Sequence, residues 1–172
     1  LEKPDIGKLD TYFFPIAYLY RHSIELILKA IGFKYIVNMK ERVDFLKDTF
    51  HNLGNIFQTI TPFIQSLLER DIDAYNWLVS YFDDINVIDK ESDSFRYPFG
   101  ISVEKKVIRF KKTKQYSIKP VFDKQTHINL VAFANKMEIA FELINSIYNN
   151  NFGLSSHYKK YKPKFLEEGG SY

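Results

Sequence analysis

The sequence predicts an all-α fold: an antiparallel bundle of four or more helices, with an inserted β-hairpin or long loop at about residues 95–120. Two long segments, near 13–33 and 126–149, repeat apolar residues at helical spacing. The 172 residues are 45% hydrophobic and 17% aromatic, which is enough to bury one core without cross-links. We therefore expect a single domain over 1–172, in which 95–120 is an insert and 150–172 a tail.

The first helix is predicted over residues 13–32. Pro15 suits its first turn, and Gly32 closes the segment. Between them, the residues of one stripe recur at helical spacing: Ile16, Leu19, Ser23, Ile24, Ile27, Ala30 and Ile31. A stripe of this kind is typical of a packed face. The other side of the helix carries Tyr18, Arg21, His22, Glu25 and Lys29.

Two further helical segments are predicted at 41–69 and 73–88. The first has a soft break around 51–54, and Pro62 must kink it or start a fresh turn. The second turns its large apolar residues inward and its aspartates outward. Short connections between these segments favour antiparallel neighbours.

The last helix is predicted over residues 126–149 and carries two adjacent apolar stripes. A face of that breadth usually packs against more than one neighbour, so it could serve both the core and a contact between copies. We therefore expect a homodimer.

The insert is basic, whereas the segment 69–94 before it is acidic. The two segments either neutralise each other or leave a basic surface exposed. In the second case we expect phosphate contacts from the insert, through Arg96, Lys105, Lys106, Arg109, Lys111, Lys112 and Lys114.

Several classes of function lack their sequence motifs. There is no cysteine, which excludes disulfides, zinc–thiolate sites and a thiol nucleophile. No glycine-rich phosphate loop, nucleophile elbow, His-Glu-x-x-His motif or EF-hand loop is present, so no metal or cofactor is expected. The sequence also lacks an apolar run of about 18 residues and a secretory leader, so we expect a cytoplasmic protein without a membrane partner.

One cluster of polar residues could carry chemistry. Arg21 and His22 lie within one turn of Glu25, and His51 reaches them if the second helix folds back across the short connection at 33–40. Imidazole, carboxylate and guanidinium groups together can transfer a proton and contact a phosphate. The alternative is that the four residues form a buried polar network that ties the first helix to the second.

Three motifs, taken in order, resemble bacterial HEPN-like helical proteins. They are YRHSIELILK at 20–29, HNL at the start of a helix at 51–53, and FRYP at 95–98 before the closing helix. The resemblance spans roughly residues 13–149. It implies a helical bundle that dimerises and acts as a ribonuclease in toxin–antitoxin or phage-defence systems, with RNA and an antitoxin or other defence protein as partners.

The catalytic signature of that family is absent from this chain. The signature is an arginine followed by a histidine after four to six residues, and no arginine here has a histidine at that spacing. Two hypotheses remain: a domain that binds or cleaves RNA without metal, and a non-catalytic helical module for dimerisation or protein interaction. The first requires Arg21, His22, Glu25 and His51 to share an open groove, whereas the second allows them to be buried or dispersed.

Overall fold

A computed structural model describes residues 6–89, 95, 99–108, 111–120 and 129–152, with side chains described for 12–89, 95, 117 and 129–152. Within these ranges the chain is mainly helical, which confirms the predicted class. The elements are α1 (Ile6–Tyr35), α2 (Met39–Thr49), α3 (Leu53–Leu68), α4 (Ile72–Ile88), β1 (Phe99–Ile108), β2 (Lys111–Pro120) and α5 (Leu130–Tyr148). None of the described helices is both long enough and apolar enough to cross a bilayer.

Helix α1 is longer than predicted at both ends. It begins at Ile6, so Pro15 lies inside it and not in its first turn. An interior proline costs one backbone hydrogen bond, but tertiary packing holds the preceding turn: the ring of Phe13 contacts those of Phe95 and Phe133 edge-on, at 6.0 and 5.1 Å between centroids.

Gly32 does not end α1 either, because the helix continues to Tyr35. A Cβ atom at this position would lie 2.7 Å from two ring atoms of Phe45 on α2. Gly32 therefore allows α1 and α2 to pack closely. The low helix propensity of glycine, from which we predicted a helix end, does not predict this role.

The face of α1 that packs inward coincides with only part of the predicted stripe, whose Ile24 and Ile31 are completely buried. Ile16 and Leu19 of that stripe are 48% and 60% exposed. The fully buried positions are Ala17, Arg21, Ile24, Leu28 and Ile31, so the buried face includes an arginine that we had assigned to the polar side. Arg21 can be buried because its charge is paired inside the bundle.

The middle helices follow the predicted pattern closely. The break between α2 and α3 falls at residues 50–52, and the side chain of Asn52 caps α3 by accepting a hydrogen bond from the backbone N–H of Asn55. Pro62 lies within α3, where it is exposed and does not interrupt the helix. Asp71 caps α4 in the same way, through the N–H of Ala74.

Helix α5 packs mainly on α1, with further contacts to α4 and α3. Most of its apolar residues are buried within the chain: Phe133, Met137, Ile139, Ala140, Leu143, Ile144 and Ile147. Three neighbours therefore take up most of the broad apolar face from which we inferred a contact between copies, although Val131 and Tyr148 are 72% and 43% exposed. Residues 126–128 of the predicted helix lie outside the described residues.

Strands β1 and β2 pair with each other in antiparallel register, from Phe99 opposite Pro120 to Ile108 opposite Lys111. Neither strand packs extensively on any described helix. Arg96, Arg109 and the tail beyond Phe152 lie outside the described residues.

Candidate functional site

Arg21 is the centre of a buried polar network that joins three parts of the bundle. Its guanidinium lies 3.2 Å from Glu25 Oε2 on the same helix and 2.7 Å from Asp89 Oδ2 at the end of α4. It also donates to the backbone oxygens of His51, at 2.6 Å, and Asp89, at 3.3 Å. Arg21 is completely buried, so its donors are held by the protein itself.

Glu25 connects this buried network to the surface. Its Oε1 atom lies 2.7 Å from Lys29 Nζ and 2.8 Å from His51 Nδ1. Burial acts to raise the pKa of Glu25, but the hydrogen bonds from Lys29 and His51 outweigh it, so the pKa lies below its ordinary value. The ionised carboxylate makes Nδ1 of His51 the donor, which leaves Nε2 as the free nitrogen of a side chain that is 47% exposed.

Among the described residues of this network, two cations face two carboxylates. The cations Arg21 and Lys29 face the carboxylates of Glu25 and Asp89. Buried charges are tolerated when they are paired and hydrogen-bonded in this way. The network therefore has the properties of a structural tie, and among its described members His51 and, to a lesser degree, Lys29 extend towards solvent.

The backbone before His51 adopts an unusual conformation. Phe50 has a φ angle of 45°, in the left-handed region, although it is not a glycine. Its N–H donates to the carbonyl of Leu46, and Arg21 holds the next carbonyl in the chain, that of His51. Such strain persists where the surroundings over-determine the backbone, so the network fixes the position of His51.

His22 does not share this site. It is half-buried, and its ring stacks on that of Tyr18 at 5.6 Å. Within the described part of the chain, no hydrogen bond joins it to Arg21, Glu25 or His51. The structure thus brings together three of the four predicted residues and adds Lys29 and Asp89.

Lys29 and Asp89, the two residues that the structure adds to the site, differ in how well the sequence predicts their contacts. Lys29 is one helical turn from Glu25, so its contact follows from local spacing. Asp89 is separated from Arg21 by 68 positions, and only tertiary folding reveals this pair. Among the described residues, no group of histidines and carboxylates is arranged to hold a metal ion.

Five of the seven basic residues predicted to bind nucleic acid are on the two strands, where the backbone is described: Lys105, Lys106, Lys111, Lys112 and Lys114. Lys105 is directly opposite Lys114, and Ile108 is opposite Lys111. Lys112 is on the same face of the sheet as Lys105 and Lys114, because residues two apart on a strand share a face. Like charges in directly opposite positions destabilise a strand pair, so this register concentrates positive charge at a cost.

No protein-family model matches this chain, and no curated protein or solved structure shows significant similarity to it. The HEPN-like resemblance therefore depends on the motifs at 20–29, 51–53 and 95–98. Two of these motifs meet in space, since Arg21 and Glu25 of the first contact His51 of the second.

Proposed function

We propose that this chain is a helical self-association module, which pairs with a second copy through the outer face of α1. The observation that carries the proposal is an apolar stripe on that helix that no described residue of the bundle fully covers. It consists of Tyr12, Ile16, Leu19, Leu26 and Phe33, which are 36–61% exposed, and the smaller Ser23 and Ala30, which are half-buried.

The spacing of this stripe suits a helical partner. Its members are separated alternately by four and three residues, as in the seam of a coiled coil. From Tyr12 to Phe33 the stripe extends for roughly 31 Å, at 1.5 Å per residue. A second helix could therefore bury it along its whole length.

The stripe is also complementary to itself when a second copy runs antiparallel. With Ser23 at the two-fold axis, Leu19 lies opposite Leu26 of the other copy. By the same symmetry Ile16 lies opposite Ala30, and Tyr12 opposite Phe33. Small residues thus meet at the axis, the large Ile16 meets the small Ala30 further out, and the same patch serves both copies, as a two-fold interface requires.

The geometry of the polar network favours this function over catalysis. Arg21 and Glu25 are buried, and His22 lies outside the network. That is the arrangement expected of a scaffold, in which polar residues tie helices together and do not share an open groove.

Light scattering at tens of micromolar protein tests the proposal. We expect a dimer for the wild type and a monomer for Leu19→Glu/Leu26→Glu, because a second copy would bury the new carboxylates. The matched control is Val87→Glu/Val131→Glu, which places the same charges on exposed valines of α4 and α5. A monomeric wild type, or an equal loss of dimer in the control, would refute the proposed interface.

A second candidate function is RNA binding by a basic insert. The observation that favours it is the register that sets Lys105 opposite Lys114, since a polyanion would relieve the repulsion between them. On this proposal the hairpin at 95–120 supplies the phosphate contacts, and the protein works in the cytoplasm beside an antitoxin or other defence protein, as the HEPN-like resemblance implies.

The salt dependence of RNA binding tests this second candidate. Each phosphate contact adds roughly 0.7–0.9 to the log–log slope, so Lys111→Glu/Lys112→Glu should reduce the slope by roughly 1.4–1.8. The control is Lys40→Glu/Lys47→Glu, on exposed positions of α2. Equal effects in both variants would show that net charge, and not the insert, determines binding.

Cleavage of RNA would require His51, the accessible histidine of the network. His51→Ala should then abolish cleavage, while His22→Ala should leave it intact. The melting temperature of each variant is measured in parallel, because His51 also contacts Glu25. A His51→Ala variant that melts early but cleaves at the normal rate would identify the network as structural.

A further inference from the structure

A groove of about 390 Å³ lies between α2 and α3, on residues used by neither proposed function. Its lining comes from the loop after α1 and from both helices, and consists of Ile36, Glu41, Asp44, Phe45, Asp48, Thr59, Pro62 and Phe63. The volume is at the lower end of the range for ligand sites, about 300–1,000 Å³. It can hold one or two large side chains.

One part of the groove is apolar and aromatic. Ile36 and Phe45 are buried, whereas Phe63 is 49% exposed although its ring is large. The Phe63 ring stacks on that of Tyr35 at 6.3 Å and 11°. An exposed aromatic ring in a concave surface favours an aromatic or aliphatic side chain as its occupant.

The other part of the groove is acidic. Glu41, Asp44 and Asp48 are three and four residues apart, so they share one face of α2. All three are exposed, and none forms an ion pair with another described residue. An occupant that combines cations with aromatic rings would complement both parts of the groove.

The described chain ends close to a residue that precedes the groove in sequence. Lys34 donates to the carbonyl of Tyr148 and contacts the side chain of Asn150, while Arg70 donates to the carbonyl of Asn150. Lys34 immediately precedes Tyr35, the residue that stacks on Phe63. Residues 148–150 are therefore held against Lys34, one position before the residue that stacks on a ring of the groove.

We propose that the groove binds residues 157–165 of this same chain. That segment lies outside the described residues, and its sequence, HYKKYKPKF, combines four lysines with three aromatic rings. Residues 153–156 connect it to Phe152, and five residues of extended chain span up to roughly 17 Å. This exceeds the width of one helix, about 10–12 Å, so the segment is long enough to reach a groove one helix away from the end of α5.

Limited trypsin digestion of the full chain under native conditions tests the proposal, with cleavage after Lys159, Lys160 and Lys164 followed by mass spectrometry. A docked segment is protected, and its cleavage rate follows the fraction of molecules in which it is released. Asp44→Asn/Asp48→Asn removes two exposed charge pairs and should raise that rate by roughly two- to thirty-fold. Phe63→Ala should also raise it, through loss of the aromatic contact.

The matched control is Glu138→Gln/Glu142→Gln, which neutralises two exposed carboxylates on α5 without adding a trypsin site. This control should cleave at the wild-type rate. Equal rates for the wild type, both groove variants and the control would overturn the proposal. Protection that disappears in Leu19→Glu/Leu26→Glu would overturn the assignment to the same chain, because the segment would then come from a second copy.

Discussion

Arg21 shows how one charged residue can select the packed face of a helix. Its guanidinium is enclosed by Glu25, Asp89 and the carbonyl of His51, and each of these groups is buried or anchored by the same contact. Removing the arginine would take this cation away from two buried carboxylates, of which Glu25 would keep its contacts with Lys29 and His51. The stability of the fold should therefore depend on Arg21 more than on any exposed charge.

We expect Arg21→Leu to lower the free energy of unfolding by about 3–5 kcal/mol, the usual cost of breaking a buried ion pair by removing one partner. Urea unfolding measures this directly. The control is Arg70→Leu, whose side chain is exposed and donates to the carbonyl of Asn150. Similar losses for the two variants would contradict a central role for Arg21.

Glu25 makes the same network sensitive to acid. Its pKa lies below the ordinary value of 4.5 because the hydrogen bonds from Lys29 and His51 outweigh the opposing effect of burial. A carboxyl group whose pKa is lower in the folded than in the unfolded state stabilises the fold at pH values above the unfolded-state pKa. That stability is lost as the pH falls through the folded-state pKa.

We therefore expect the wild type to be more stable than Glu25→Gln near neutral pH and the difference to shrink as pH falls below 4.5. Urea unfolding of both proteins across that range gives the difference at each pH. A gap that stayed constant into acid would show that the ionised carboxylate contributes no net stability.

At the scale of elements, the contact between α1 and α2 depends on the absence of a side chain at Gly32. The ring of Phe45 fills the space that a Cβ would occupy, at 2.7 Å. Alanine is better than glycine in a helix interior by about 1 kcal/mol, but moving a buried ring typically costs about 1–3 kcal/mol. Packing should therefore outweigh propensity at this position.

Gly32→Ala is expected to destabilise the wild type by up to about 2 kcal/mol, the difference between those two effects. In a Phe45→Leu background the same substitution should become stabilising, because the overlapping ring atoms are gone. A double-mutant cycle from unfolding free energies tests this coupling. The same sign in both backgrounds would mean that the ring shifts at little cost.

For the whole molecule, self-association through α1 should couple stability to concentration. If only the folded chain pairs, mass action raises the melting temperature as protein concentration rises. For a chain of 172 residues, a tenfold increase should add about 2 °C. The Leu19→Glu/Leu26→Glu variant should melt at one temperature throughout, and a wild type that did the same would argue against the dimer.

The sequence by itself determined the helical class, the break between α2 and α3, and the local spacing of Arg21, Glu25 and Lys29. These features depend on residues a few positions apart, for which helical periodicity and capping chemistry are sufficient. The sequence also pointed to His51 through the short connection that returns α2 towards α1.

Only the tertiary structure decided which face of α1 is buried. Two lines of residues run along that helix at helical spacing, one through Ile16 and Leu19 of the predicted stripe and the other through Ala17, Arg21 and Ile24, of which the predicted stripe held only Ile24. Apolar content favours the first, but Asp89 neutralises Arg21 from a position far along the chain and so allows the second to be buried. An ion pair between residues so far apart along the chain produces no periodic pattern in the sequence. The inward face of α1 and its exposed apolar stripe are therefore known only from the fold.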